Sequence, residues 1–397
     1  MSLSRAITAL SGCALLLGLT ACTNQTQQPE PVSFEWKATD LNARAEIPQL
    51  DTLLTNISSG TYGYIDEIFI AKGDSLIFHQ DFGLDYKAIS KGKKNANGCG
   101  YEACADSSDI HQFNYLYPDH HPYFNSREVH TLQSVTKSIV ATVVGIAVDE
   151  KHIPNAQVIV EPFFEEYSMT DEMRTHLKNT TLEDLLTMRA GIEWHELGED
   201  DHSVVDMEAA DDWISYVLAQ SVEAKPGTTW EYSSGVSQLF SGIVKKSVGI
   251  TIKTYADEKL FSPMGIRDYH WKITNAGLPD TEGGLYMKIE DLAKFGLLYI
   301  NDGRWNGEQL VSEAWIKSAW IKHAKDMNQD GGNEGYGYQW WITGDEKPVY
   351  AGLGFGGQIL MVLPEKKLIG VVYSWNVFDN ESKYIFRDLL NVLNSIE

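Results

Sequence analysis

A nine-residue run at 139–147, Ile-Val-Ala-Thr-Val-Val-Gly-Ile-Ala, is apolar nearly all round. A helix of that kind has no face to offer water and must be enclosed on every side. The chain has the material to do so, with 397 residues of which 43% are hydrophobic, a balance that argues for a sizeable core and against disorder. Just ahead of the run stand His130-Thr131-Leu132-Gln133-Ser134-Val135-Thr136-Lys137-Ser138. Ser134 and Lys137 are three apart, so on a helix they share one face and meet without help from the rest of the fold. A serine hydroxyl is a weak nucleophile until an adjacent base takes its proton. A lysine serves as that base when burial or nearby positive charge holds it deprotonated. The spacing alone is loose, since Ser90 and Lys93 repeat it in a Gly/Lys/Asn-rich stretch with no apolar helix behind. The plain alternative for Ser134 is a helix N-cap.

The formal charge of −23 disfavours nucleic acid and anionic membrane faces as partners. The N-terminus reads as a targeting segment. Arg5 precedes an apolar stretch at 6–19 that is too short to cross a bilayer. Leu19-Thr20-Ala21-Cys22 follows, which looks like a bacterial lipobox with Cys22 lipidated; the alternative is an ordinary signal peptide cut near Ala21. Thr23 rather than Asp after the cysteine points to the outer membrane. Residues 1–22 are then leader and lipobox, and 23–40 a polar tether. Cys13 leaves with the leader, so Cys99 and Cys104 remain, and in an oxidising periplasm a disulfide between them would close a small loop. Two cysteines without other clustered ligands make a poor zinc site, and no metal or cofactor is expected.

Helical periodicity at 40–58 is followed by two strand patterns flanking Lys72-Gly73-Asp74, a hairpin signal. Residues 84–128 are loop-rich. From about 150 to 255 the patterns are mainly helical. Thr181 with Asp184, or Thr180 with Glu183, offers a capping box, and Gly191 a helix stop. The stretch 195–212 is dense in acids and reads as a solvated insertion in preference to a cation site. Asp326 to Gly331 resembles the start of a calcium loop, but Gly337 stands where a bidentate Glu is needed, leaving a turn-rich loop. Strand patterns return at 269–272, 337–342, 358–362 and 368–375, with helices at 289–298, 312–318 and 382–393. Strands at both ends with helices between predict a mixed α+β (α/β) chain. One domain is built from 41–133 and 262–397, and an all-helical domain, 134–261, is inserted in it.

Lys225-Pro226-Gly227-Thr228-Thr229-Trp230-Glu231-Tyr232-Ser233-Ser234 is the next informative stretch. With Ser134-x-x-Lys137, the pair Tyr232-x-Ser234 after Pro-Gly-Thr-x-Trp resembles the serine β-lactamase and penicillin-binding superfamily, and most of all its class C-like esterases, D-amino-acid peptidases and short-oligomer amide hydrolases. The likeness covers about residues 45–395. It implies a β-lactamase-like two-domain fold, an antiparallel sheet flanked by helices, with Ser134 as nucleophile, Lys137 as base and Tyr232 as proton relay. A tyrosine near a lysine ammonium can have a lowered pKa and act as base or acid. The commonest family form is Tyr-x-Asn. Ser234 in the Asn place is shorter and puts the holding of Lys137 or substrate in question.

The family's third motif, often Lys-Thr-Gly or His-Thr-Gly on a strand, matches Gly352-Leu353-Gly354, with Gly354-Phe355-Gly356 as the other frame. In the first frame the Phe355 N–H joins the Ser134 N–H as an oxyanion hole, and Gly354 and Gly356 let the strand edge approach substrate. Ser234 and Tyr117 complete the expected substrate contacts, and the Trp340-Trp341 pair is a candidate wall. No Lys or His stands in the third motif, which shifts expectation from carboxylate-bearing β-lactams and peptidoglycan stems to a neutral or differently charged small ester or amide. The expected protein is a periplasm-facing lipoprotein serine hydrolase that works through an acyl-enzyme. The alternatives are a β-lactamase or D,D-peptidase and, in another class, a non-catalytic envelope sensor or scaffold. No Gly-x-Ser-x-Gly or His-Glu-x-x-His occurs, which disfavours an α/β-hydrolase or a zincin.

Overall fold

The computed structural model describes residues 34–38, 47–85, 88–89, 129–196, 203–329, 333–378 and 382–397. The leader, Cys22, Cys99, Cys104 and Tyr117 lie outside them. In chain order the strands are β1 (Lys37–Ala38), β2 (Ile65–Lys72), β3 (Ser75–Asp81), β4 (His130–Thr131), β5 (Tyr269–Trp271), β6 (Leu285–Met287), β7 (Arg304–Trp305), β8 (Glu308–Gln309), β9 (Ala324–Gln329), β10 (Asn333–Tyr336), β11 (Trp341–Thr343), β12 (Val349–Gly354), β13 (Gln358–Leu363) and β14 (Leu368–Ser374). One nine-stranded sheet runs β1-β3-β2-β14-β13-β12-β11-β10-β9. Its strands come from both ends of the chain and pair antiparallel, except the parallel contact of β1 with β3. This is the expected mixed α+β architecture.

Alternation along β2 shows how the sheet is covered. Ile68 and Ile70 point to one face, where they pack with Leu50, Leu53 and Ile57 of the helix Pro48–Ser58 and Phe386 and Leu389 of the helix Phe386–Ser395. Phe69 and Ala71 point to the other, into the core shared with the helices Ile289–Ile300 and Thr136–Asp149. Period-two side-chain placement thus sorts one strand's apolar residues into two cores. The Thr136–Asp149 helix is buried continuously from Thr136 to Ala147, as its apolar run requires. Gly145 is needed there because a Cβ would sit 2.4 Å from the Trp315 indole nitrogen.

Several local expectations are corrected. Phe34 and Trp36, read as tether, pack edge-on against each other and onto Trp305 and Phe69, and β1 joins the sheet. The capping box is Thr181 with Asp184, but its helix stops at Leu186 and not at Gly191. Gly191 instead has φ +70° and lies where a Cβ would meet the Ala224 carbonyl. Residues 337–340 are turn rather than strand, with Gln339 at φ +59°. The supposed loop from 326 is the end of strand β9.

Candidate active site

Ser134 lies in a short 3₁₀ turn, Gln133–Val135, that runs straight into the Thr136–Asp149 helix. Gln133, just before it, holds φ +49°, a strained setting for a residue with a Cβ, and its side chain donates to Thr131 Oγ1 at 2.8 Å. The turn leaves Ser134 partly exposed while Lys137, one turn on, is 1% exposed. Lys137 Nζ is 2.8 Å from Ser134 Oγ. It also lies 2.9 Å from Ser234 Oγ, 2.8 Å from the Glu282 carbonyl oxygen and 3.3 Å from Glu282 Oε2.

The second element is held by Met188, at φ +56°, whose carbonyl accepts from Glu231 N and whose sulfur faces Ser233 N. Ser233 caps the helix Ser234–Val248, which sets Ser234 as its first residue and Tyr232 two residues ahead. Tyr232 is 7% exposed and has Lys137 Nζ 5.1 Å from its ring centroid. Trp341 stacks on it at 5.5 Å and Tyr336 meets it edge-on at 6.3 Å. Of the tryptophan pair, Trp341 therefore joins the site, whereas Trp340 is fully buried against Phe295 and Tyr299. Gln339 ties the parts together. It accepts from Ser237 Oγ, donates to the Leu185 and Leu186 carbonyls, and its own carbonyl accepts from Ser138 Oγ.

Strand β12 abuts the Ser134 turn. A Cβ on Gly354 would meet the Leu132 carbonyl oxygen at 2.4 Å, and one on Gly352 would meet Val135 at 3.0 Å. Residues 352–354 lie within β12, whereas Gly356 and Gly357 have φ of +77° and +94° and form the turn to β13. The frame Gly352-Leu353-Gly354 is therefore the one on the strand, and Phe355, 41% exposed, begins the turn. Gly354→Ala is expected to push the strand off Ser134 and lower turnover about 10²-fold, the usual cost of misplacing a reacting group by about an ångström. Steady-state kinetics beside an unfolding curve will separate this from loss of fold.

Two carboxylates were not anticipated. Glu196 was read as part of a solvated acidic stretch. Its Oε1 accepts from Ser234 Oγ at 2.6 Å, and its Oε2 accepts from Ser234 N at 2.6 Å and from Trp194 Nε1 at 2.7 Å. The same stretch supplies Glu208, 8% exposed at the end of the helix Ser203–Glu208, and Asp212, which caps the helix Trp213–Leu218. Glu282, 6% exposed, pairs with Lys137, and Asp280 and Lys272 are buried behind it. Only Glu193, His195 and Glu223, with ligand atoms within 4.8 Å of one another, form a metal-like group among the described residues, and two of the three are exposed.

These acids reverse one electrostatic expectation. Burial first, then the negative charges of Glu196 and Glu282, push the Tyr232 phenol well above its ordinary value. A phenolate base is disfavoured, and Tyr232 remains a proton-bearing phenol. Burial likewise pushes Glu196 up, against the pull of Lys137, and raises Asp280 to about 8.

Residues 111–390 match the Beta-lactamase family model. A 6-aminohexanoate-dimer hydrolase of Paenarthrobacter ureafaciens is 26% identical over 265 residues, 62% of this chain and 66% of that protein, so the match spans just under two thirds of the relative's length. Among solved structures, a Bacillus anthracis protein provisionally assigned as a 6-aminohexanoate-dimer hydrolase aligns with TM-score 0.65 and 17% identity over 92% of this chain and 87% of that one. EstCE1, a hydrolase with promiscuous acyltransferase activity, aligns with TM-score 0.64 and 12% identity over 90% and 100%. A family VIII carboxylesterase gives 0.58 and 14% over 89% and 98%. At these identities the structural matches establish the fold.

Proposed function

The chain belongs to the Beta-lactamase family, and from that premise we propose that it is a serine hydrolase of esterase or amidase type. The observation that carries the reading is Lys137 Nζ at 2.8 Å from Ser134 Oγ, with the Tyr232 ring 5.1 Å from the same Nζ. Lys137 takes the Ser134 proton as Oγ attacks an ester or amide carbonyl. The backbone N–H groups of Ser134 and Phe355 receive the developing oxyanion. Tyr232 passes its phenolic proton to the leaving group as it regains one from the Lys137 ammonium, and water then releases the acyl group, its proton returning to Ser134 Oγ.

The substrate side follows from charge. No Lys, Arg or His lies between 349 and 361, where the family's usual cation would hold a substrate carboxylate. Small neutral esters and short amides fit better than β-lactams or peptidoglycan stems; the 6-aminohexanoate dimer named for the Paenarthrobacter relative carries a carboxylate of its own and would draw its cation from outside this strand. A fluorophosphonate probe read by intact mass tests the mechanism. A panel of short-chain nitrophenyl esters, amide oligomers, D-amino-acid amides and a chromogenic cephalosporin tests the class. Absence of an adduct on the native protein would favour the non-catalytic scaffold, and fastest turnover of the cephalosporin would favour a β-lactamase.

Cys22 in Leu-Thr-Ala-Cys supports a lipid-anchored form facing the periplasm, on the outer membrane, with Cys99 and Cys104 paired. Cys22→Ser is expected to move the protein from the membrane to the soluble fraction; unchanged fractionation would refute the anchor.

A further inference from the structure

In the proposed mechanism the Ser134 proton goes to Lys137, 2.8 Å away, so Lys137 must first be an uncharged amine. Its surroundings offer a route. Three short contacts of 2.8 to 2.9 Å surround Nζ, matching the three directions a lysine nitrogen has in either protonation state. One is a carbonyl, which only accepts. The other two are hydroxyls, Ser134 and Ser234, and a hydroxyl accepts or donates as required. Beyond Ser234 Oγ, at 2.6 Å, lies Glu196 Oε1, fixed on its other oxygen by the Trp194 indole and the Ser234 amide.

We propose that Ser234 and Glu196 form a proton relay that discharges Lys137, with Glu196 as a positioning residue acting through the Ser234 hydroxyl. This deepens the serine-hydrolase reading and rests on it. Two protons each move one step. The Lys137 N–H bond breaks as an O–H bond forms on Ser234, and the original Ser234 O–H bond breaks as one forms on Glu196 Oε1. A separated ammonium and carboxylate become a neutral amine and a carboxylic acid, and net charge is unchanged. The Lys137–Glu282 pair is the resting arrangement, and the relay displaces it only ahead of attack; enclosure lowers the cost of that step, because water-poor surroundings penalise ions more than neutral partners, and burial accordingly pushes the Glu196 carboxyl up. The freed amine then accepts the Ser134 proton during attack. The relay also accounts for the short residue at 234. Where the common family form carries an asparagine amide, this chain has a hydroxyl, which can exchange a proton, and a carboxylate placed to take it.

The charged and titratable groups around the relay are Lys137, Glu282, Glu208, Tyr232 and Tyr336, with Asp280 and Lys272 behind Glu282. None of them hydrogen-bonds both Ser234 and Glu196, so the test is directed at those two. The rate of Ser134 acylation by a fluorophosphonate is measured from pH 5 to 10 for the native protein, Glu196→Gln and Ser234→Ala, with circular dichroism on each. Glutamine keeps the size and, with its oxygen towards the Trp194 and Ser234 N–H groups, turns an NH2 to the Ser234 hydroxyl, which can donate to it but cannot take its proton. Each variant is expected to label about 10² to 10³-fold more slowly at pH 7 and to recover as the pH rises and solvent takes the Lys137 proton instead. A purely structural role predicts a uniform loss at every pH, or rescue by the isosteric glutamine, and either result overturns the relay. If Glu196→Gln does not fold, Ser234→Ala, which leaves the carboxylate in place, decides by the same alkaline displacement. No labelling of the native protein removes the hydrolase reading itself, whereas normal native labelling with unshifted variants removes the relay alone.

Discussion

Ser134→Ala will lower turnover of any productive ester or amide by at least about 10⁴-fold, the scale seen when a serine nucleophile is deleted from a concerted site, and will abolish covalent labelling. The fold should barely notice. Ser134 is partly exposed, and losing its hydroxyl costs about 0.5–1.5 kcal/mol, the net value of an ordinary hydrogen bond. Lys137 keeps its contacts with Ser234 and Glu282, and Tyr232 keeps Trp341 and Tyr336. In the proposed mechanism Ser134, Lys137 and Tyr232 act as one unit, so removing Lys137 or Tyr232 from the alanine variant should add little further loss. The check is kcat/KM on a nitrophenyl ester together with intact mass after probe treatment. Residual turnover within tenfold of native would place the nucleophile elsewhere.

The parts of this site that could be read in the chain were those fixed by local geometry. Ser134 and Lys137 meet because three residues along a helix returns a side chain to the same face, and the apolar run behind them required a buried helix. Tyr232 was legible through the stretch around it. Glu196 and Glu282 were not, for a physical reason. An acid among acids normally faces water, and only the folded backbone shows that Glu196 turns inward to Ser234 or that Glu282 arrives 145 positions beyond Lys137. One hint was present, since a serine in an asparagine's place leaves an amide's reach unfilled. Missing those two charges also reversed the direction for Tyr232. Its expected lowering considered Lys137 alone, whereas burial and two carboxylates outweigh one ammonium. The place of the glycine-rich stretch was equally a tertiary matter, since only the fold shows β12 stopping at Gly354 and the φ +77° turn starting at Gly356.

Lys137→Met should abolish activity and also cost about 3–5 kcal/mol of stability, the usual penalty for breaking a buried ion pair by removing one member. The size follows from what is left behind. Glu282 is 6% exposed and its carboxylate faces Lys137 Nζ at 3.3 Å. Without the lysine that charge is buried unpaired, beside an Asp280 that is itself raised to about 8. The Ser234 hydroxyl and the Glu282 carbonyl each lose a partner as well. Methionine fills most of the lysine's volume, so the loss reflects charge and hydrogen bonding more than a cavity. Adding Glu282→Gln removes the stranded charge and should recover part of the stability, on the order of 1–2 kcal/mol, with no return of activity. Urea unfolding of the native protein, Lys137→Met and the double variant measures all three, provided the m-value is constant. Equal stability of Lys137→Met and the native protein would mean that the cost of dehydrating Lys137 alone cancels its attraction to Glu282, and that the pair adds nothing to stability.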